Sequence, residues 1–338
     1  MHNDWYLALA PMMQRTDRHF RLLMRLISKR VFLFTEMIPL GAIVHGDAEH
    51  FLKFDPREHP IAVQIGGSDA EKLAQASLTA SEFGYDEINL NCGCPSDRVQ
   101  SGNFGACLMR SPDLVADCIR AMRETAAVPV TIKMRLGVDE LDHYDWVANF
   151  VATTHQAGCK TFHVHARKAW LKGLNPKQNR EIPPLHYDWV YRLRDEFPRC
   201  RFTLNGGLNS ESAIQTHRHE LPGVMIGRWL YNEPYDAAQF DQRFFGDTAA
   251  PPSRLEVLDQ YLAHIHEEVS RGTPIHRLTK HLLNFFARRP GAKRWRRLLT
   301  ETTLPNSARL QDVAKAYQLA QQISATDELS TDELPSAL

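Results

Sequence analysis

What the sequence lacks narrows it first. No uninterrupted apolar run reaches the roughly 20 residues a bilayer demands, and no basic-then-apolar signal segment opens the chain. The expectation is a soluble, cytoplasmic protein without a membrane partner. An excess of charge of one sign is also missing: Lys plus Arg and Asp plus Glu come to 40 each, so net charge announces neither nucleic acid nor membrane. Only the distribution of charge can do that. Nothing resembles G-x-G-x-x-G after the first strand pattern, nor a Walker P-loop, so neither a Rossmann dinucleotide site nor an NTPase site is supported. Cysteine is sparse, six in 338 residues, which fits reduced thiols better than a disulfide framework.

What is present is a repeating pattern. Short β-rich apolar runs recur with room for a helix between them: YLALAP, LFTEM, AVQIGG, EINLN, PVTIKMRLG, TFHVHAR, RFTLNGG and GVMIGR. Ser68 three residues before Glu71 reads as a capping box, with Gly84 ending that helix, and Ser111 followed by Pro112 starts another. Eight strands alternating with helices predict an α/β fold, a (β/α)8 TIM barrel over residues 1–245, with a doubly wound sheet as the alternative. After PPSRLEVLD the pattern turns helical to about residue 322, which predicts a C-terminal all-α domain over 246–322. Residues 323–338, which hold the polar stretch SATDELSTDELPSAL, read as a disordered acidic tail.

Three of the six cysteines, Cys92, Cys94 and Cys107, fall in EINLNCGCPSDRVQSGNFGACLM, residues 87 to 109. Strand alternation sets Asn89 and Asn91 on one face and Ile88, Leu90 and Cys92 on the other, so Cys92 belongs to the core. Cys94 follows the strand, at the carboxyl end where barrel enzymes assemble their sites. A zinc site fails, since C-x-C with Cys107 lacks a second ligand pair at a usual spacing. Cys118 shares an apolar helix face with Leu114, Val115 and Met122, and Cys159 and Cys200 precede strands at the opposite end of the barrel. A nucleophile needs a base beside it, whereas a thiol with a reference pKa of about 8.5 is mostly protonated at neutrality and can donate that proton. Cys94 is read as a general acid.

NCGCPSDRVQSGNFGACLM resembles the signature of tRNA-dihydrouridine synthases of the A subfamily. TEM with GAIVHGD at 35 to 47, EHPIAVQIGGSD at 58 to 69, HARKAWLKGLNPKQNREIPPL at 165 to 185, and the later NGG and GR resemble the same subfamily in the same order. The resemblance implies FMN as cofactor, NADPH as the preferred reductant with NADH as the alternative, and reduction of the C5=C6 bond of tRNA uridines, at D-loop positions 20 and 20a. It further implies that reduced flavin gives hydride to C6 while Cys94 gives the proton to C5. The chain departs from the family pattern at Gln14 and Arg15, where an acid and an apolar residue are usual, and at Cys92, often valine.

The remaining candidates combine physics with that resemblance. Lys133 interrupts the apolar strand VTIKM, where an unpaired charge is costly, so it needs an anionic partner; the family sets it by the flavin ring. Gln64 offers a donor and an acceptor to a flavin edge, or else plugs the barrel as a satisfied polar residue. Asn205, Gly206, Gly207, Gly227 and Arg228 end strands seven and eight, where barrels bind phosphate. Pro11, Met12 and Met13 would lie against the flavin in the family pattern. His163 and His165 share a strand face, and the H-A-R-K motif selects His165 for the flavin or substrate. Asn91 would meet the target uracil, the alternative being a satisfied polar residue inside the barrel.

Charge distribution supplies the partner. No acid lies between Glu268 and Glu301, while Arg271, Arg277, Lys280, Arg288, Arg289, Lys293, Arg294, Arg296 and Arg297 accumulate with Phe285, Phe286 and Trp295 among them. A run of one sign fits a phosphate backbone. By resemblance Lys293 and Arg296 match RNA-contact positions, as do Lys177 and Arg180, and the target base must leave its stack to reach a barrel mouth. No obligate protein partner is evident. The nearest rival, an FMN barrel enzyme reducing a free pyrimidine, would share flavin, lysine and cysteine but would not need the basic domain. A non-catalytic RNA-binding protein on a degenerate barrel is disfavoured by intact Cys94 and Lys133.

Overall fold

A computed structural model describes residues 6–303 and 310–332 of the chain. Eight parallel strands form its sheet: β1 Tyr6–Leu9, β2 Leu33–Pro39, β3 Ile61–Gly66, β4 Glu87–Cys92, β5 Val130–Arg135, β6 Thr161–His165, β7 Arg201–Asn205 and β8 Gly223–Ile226. They pair in the order β1-β8-β7-β6-β5-β4-β3-β2, and a parallel bridge between Ala8 and Phe32 links the first strand to the start of the second. That bridge closes the sheet into a barrel, so the eight apolar runs are eight barrel strands and the open doubly wound sheet is excluded.

Strand period divides each run between the interior and the helix layer. On β4 the outward Ile88, Leu90 and Cys92 are fully buried, each large aliphatic contributing about 1.5–3 kcal/mol by leaving water. The interior has two halves. Ala8, Ala10, Phe34, Ala62 and Met225, with Tyr6 and Phe32 packed against them, form the apolar half. Gln64, Glu87, Asn89, Thr131 and His163, contributed by β3 to β6, form a buried polar half. Buried polar groups require hydrogen-bonding partners, and here they find them in one another.

The helices follow most of the expected punctuation. The helix Ala70–Glu82 is capped by Asp69, whose side chain accepts from the Lys72 N–H, so Asp69 and not Ser68 is its N-cap. Both residues can cap, and the one whose carboxylate reaches the third helical N–H wins. Gly84 follows that helix with φ +87°, a left-handed value that favours glycine. Ser111 and Pro112 begin the helix Pro112–Thr125 as expected, although the serine side chain makes no capping bond. On that helix Val115, Cys118, Ile119 and Met122 are buried, whereas Leu114 is exposed and leaves the expected apolar face.

Contacts divide the chain into two compact units, one holding Arg18 and what precedes it together with Val31–Gly227, the other holding His19–Arg30 and the residues from Arg228 onward. The division thus falls at Gly227/Arg228 where sequence reading drew it at 245/246, and a segment between the first two strands joins the helical unit. The helix Arg18–Ile27 buries residues all round, the polar His19, Arg21 and Arg25 as well as Phe20, Leu22, Leu23 and Met24. Within its unit Asp241 accepts from the Ser28 hydroxyl at 2.5 Å and the Lys29 N–H at 2.7 Å, and His19 Nδ1 meets His264 Nε2 at 3.0 Å.

The helical unit also contains the helices Arg254–Ser270, Ala292–Thr303 and Leu310–Asp332. Ser253 and Glu256 form a reciprocal capping box on the first of these. Phe285, Phe286 and Trp295, which the sequence sets among the basic residues, are core: all three are buried, and the Trp295 indole N–H donates to the Leu282 carbonyl at 2.6 Å. The helix Leu310–Asp332 continues beyond residue 322, where the tail was expected to begin. Residues 333–338 of that expected tail lie outside the described residues.

Candidate active site

The loop after β4 is shaped by the strand's own last inward side chain. Asn91 Oδ1 accepts from the N–H groups of Gly93 at 3.1 Å and Cys94 at 3.0 Å, an Asx-type turn that bends the chain off the strand. The Cys94 carbonyl accepts from the Ala106 N–H at 2.9 Å, and a Cβ on Gly105, whose φ is +80°, would sit 2.6 Å from that carbonyl oxygen. Cys94 is thereby held half-buried at the carboxyl end of the barrel, its Sγ 3.6 Å from Ser96 Oγ. Burial pushes the Cys92, Cys107, Cys118, Cys159 and Cys200 thiols up, Cys118 and Cys200 to about 11. Cys107, which sequence reading left open, is half-buried with its Sγ 3.1 Å from the Phe104 carbonyl oxygen.

On β5, the strand next to β4, the barrel mouth is cationic. Lys133 donates to Asn205 Oδ1 at 3.1 Å and has no carboxylate partner among the described residues. Burial first, and the Arg135 charge second, lower its pKa to about 7. Burial and then Arg135, Lys133, Arg167 and Arg180 hold His165 well below the usual imidazole range, so it is neutral near pH 7. A desolvated cation with only a neutral amide for company suits an anionic or electron-rich ligand. The donor set here is nitrogen and amide. Among the described residues no three His, Cys, Asp or Glu side chains gather to hold a metal.

Arg135 was missed by sequence reasoning, although it sits two residues after Lys133 and so had to share its inward face. It is buried, and its guanidinium donates to the carbonyls of Gly93 at 3.1 Å, Lys168 at 3.2 Å and Asn179 at 2.7 Å. It therefore braces the cysteine loop against the loop that follows β6. Arg135→Met strands three carbonyls and should lower unfolding free energy by about 3 kcal/mol, read from chemical denaturation; an unchanged midpoint would mean water replaces the guanidinium.

Gln64 and Asn91 have partners of their own. Gln64 is almost fully buried; its Nε2 donates to Asn89 Oδ1 and its Oε1 accepts from Asn91 Nδ2, both at 2.7 Å. The side chain read as a flavin contact or a polar plug is at least the plug, with one N–H and one lone pair left over. Asn91, expected at the target base, spends its oxygen on the cysteine turn. His163, the histidine set aside, is fully buried against Glu87 at 3.0 Å, while His165 lies at the mouth end of β6.

The turn after β7 needs its glycines. Gly206 and Gly207 have φ of +106° and +74°, and added Cβ atoms would meet the His165 ring at 2.6 Å and the Tyr187 hydroxyl at 2.3 Å. Asn205 contributes its amide elsewhere, donating to the Met225 carbonyl at 2.7 Å while accepting from Lys133. Gly227 has only Ala10 and Met12 near its missing Cβ, each at 3.7 Å, and Arg228 opens the short helix Arg228–Asn232 of the other unit. Pro11 and Met12 are half-buried after β1, with Met12 tied to Thr16, and Met13 is 52% exposed.

The remaining cations lie on the two units separately. In the barrel unit, Lys177 is exposed and Arg180 half-buried on a loop organised by buried Asn179, which bonds the backbone of Trp170 and Leu174. In the helical unit, Lys293, Arg294, Arg296 and Arg297 occupy the exposed side of the helix Ala292–Thr303 while Trp295, Leu299 and Thr303 are buried. Arg297 pairs with Glu301, whereas Lys293 and Arg296 have no acidic partner among the described residues.

Known proteins resemble this chain in sequence and in fold. A family model described as Dihydrouridine synthase matches residues 8–322. A tRNA-dihydrouridine(20/20a) synthase of Shewanella oneidensis is 47% identical over 94% of this chain and 95% of its own length. One of Synechocystis is 48% identical over 89% and 90%. Among solved structures, a 2-naphthoyl-CoA reductase complex with 2-naphthoyl-CoA aligns with TM-score 0.54 at 8% identity, over 70% of this chain and 50% of that one. Morphinone reductase aligns with TM-score 0.51 at 12% identity, over 75% and 88%. At such identities the structural likeness speaks for the barrel alone.

Proposed function

The chain belongs to the dihydrouridine synthase family, and from that premise we propose that it reduces D-loop uridines of tRNA, at positions 20 and 20a, to 5,6-dihydrouridine, with FMN as cofactor and NADPH as reductant. The observation that carries the mechanism is a half-buried thiol on a turn built by Asn91, with a desolvated Lys133 on the neighbouring strand that has no carboxylate partner among the described residues.

The residues present fit a flavin. Lys133 provides a cation for the electron-rich end of the ring, His165 a neutral imidazole, Gln64 its spare N–H and lone pair, and the Gly206–Gly207 turn a backbone free of side chains for phosphate. When bound, the reduced flavin supplies the hydride for C6 of the uracil. Cys94 holds the proton that C5 requires, and the Asn91 turn fixes where its Sγ stands. Arg135 keeps that turn from drifting relative to the loop bearing Lys177 and Arg180. The exposed cations of the helix Ala292–Thr303 meet the tRNA backbone, so residues 246–322 act as the RNA-gripping domain. With tRNA as substrate, the protein works in the cytoplasm.

The decisive experiment is reaction of the purified, flavin-loaded protein with unmodified tRNA and NADPH, followed by mass-spectrometric mapping. A two-hydrogen gain at positions 20 and 20a is expected; gain elsewhere would refute the site assignment, and reduction of free uridine alone would favour a pyrimidine reductase. Lys293→Ala and Arg296→Ala should each weaken tRNA binding and reduce the salt slope by roughly 0.7–0.9, with flavin content intact. A lost flavin would assign those side chains to folding.

A further inference from the structure

The polar half of the barrel interior contains a single directed chain of hydrogen bonds. At its upper end the N–H groups of Gly93 and Cys94 donate to Asn91 Oδ1. Asn91 Nδ2 donates to Gln64 Oε1 at 2.7 Å, Gln64 Nε2 to Asn89 Oδ1 at 2.7 Å, and Asn89 Nδ2 to Thr131 Oγ1 at 2.8 Å. The Thr131 hydroxyl donates to Glu87 Oε1 at 2.6 Å, and the same oxygen lies 3.0 Å from His163 Nε2. His163 Nδ1 has no hydrogen-bond partner among the described residues, so the ring proton belongs on Nε2 and Glu87 accepts twice.

Side-chain amides can flip, and their orientation is set by the network around them. Here the two ends demand the same direction. Two backbone N–H groups at the top require an acceptor, and a carboxylate at the bottom is an acceptor only. Every link between has one donor end and one acceptor end, so reversing Asn91 or Gln64 sets like against like at both neighbours, and reversing Asn89 sets donor against donor at Gln64 and takes the Thr131 hydroxyl from Glu87. In a buried low-dielectric channel such a mismatch is costly and aligned bonds polarise one another.

We infer that Glu87 and Thr131 are positioning residues for the Cys94 turn: the carboxylate at the foot of the barrel sets the polarity of the amide chain, and the chain locks Asn91 Oδ1 onto the Gly93 and Cys94 N–H groups. It also decides which groups are left over, an N–H and a lone pair on Gln64 and an N–H on Asn91. This rests on the function proposed above only where turnover is concerned.

The test is amide hydrogen exchange on the flavin-bound full chain, comparing Thr131→Val, which has the same shape without the hydroxyl, with Thr131→Ser, which restores it. In Thr131→Val the Gly93 and Cys94 amides should exchange roughly tenfold faster, the loss of about one hydrogen bond, while the β7 amides of Phe202 to Leu204 keep wild-type rates. Turnover on tRNA should fall by about tenfold or more with tRNA affinity unchanged, since small misplacements of a reacting group are costly. Thr131→Ser should retain wild-type exchange and turnover. Wild-type exchange in Thr131→Val, or equal acceleration in both variants, overturns the inference. The unmodified protein gives a readout that needs no variant to fold: Gly93 and Cys94 amides exchanging at unstructured-chain rates would overturn it as well. A protein that forms no dihydrouridine would refute the proposed function and leave the exchange result standing.

Discussion

Replacing Cys94 by alanine should reduce dihydrouridine formation by about 100- to 10,000-fold, the usual span for removal of a general acid. The turn that carries Cys94 is made by backbone N–H groups and Asn91 Oδ1, none of which the substitution removes. The Sγ contact with Ser96 at 3.6 Å is too weak to hold the loop. Flavin content and tRNA affinity should therefore stay within about twofold, because binding groups and loop geometry survive. Steady-state formation of dihydrouridine, counted by mass spectrometry, separates the outcomes. Turnover at the wild-type rate would mean that solvent, or another residue, delivers the proton to C5. Of the other five thiols, Cys92, Cys118, Cys159 and Cys200 are buried, and Cys107 is turned to the Phe104 carbonyl, so none replaces it.

The barrel was legible because its strands are buried on both faces and read as apolar runs broken only at inward positions. Of the polar interruptions, Gln64, Asn91 and Lys133 were the ones read as candidates for the site. The helix Arg18–Ile27 was not legible as part of another unit, since local periodicity says that a helix is buried without saying against what. The same limit applies to Asp69, which competed with Ser68 for one cap and won through side-chain reach.

For the candidate site, residue type and strand position singled out Cys94 and Lys133, and the family's H-A-R-K motif chose His165 over His163. What they could not supply was direction. Asn91 and Gln64 were read as facing ligands or else as satisfied polar residues inside the barrel, and each commits most of its amide to neighbours in β4, β3 and the cysteine loop, a matter of register between strands far apart in sequence. Arg135 was legible by alternation, but its three carbonyl partners come from separate loops and carry no sequence mark. Phe285, Phe286 and Trp295 illustrate the converse, aromatics set among cations in the sequence that a turn, for the two phenylalanines, and a helix, for the tryptophan, bury in a core.

Lys133→Met should cost the protein most of its flavin affinity, about 10- to 100-fold, the value of a charge-assisted hydrogen bond of roughly 1.5–3 kcal/mol. The pH dependence identifies the cause. Burial and Arg135 bring Lys133 to about 7, so in the flavin-free site it is cationic below that pH and neutral above it. An electron-rich ligand beside it favours the ammonium and raises its pKa. Below about pH 7 the lysine is charged before and after binding, and affinity is maximal and flat in pH. Above it, binding must take up a proton, and affinity falls by up to about tenfold per pH unit until the raised pKa is passed. Methionine cannot titrate, so the variant should bind weakly with no such decline. Flavin fluorescence titrations of the apoprotein and its Lys133→Met form between about pH 6 and 9 measure both slopes against one buffer series. Equal slopes would place the titrating group elsewhere and leave Lys133 a cation held for Asn205, whereas a decline confined to the wild type assigns the proton to the lysine that interrupts VTIKM.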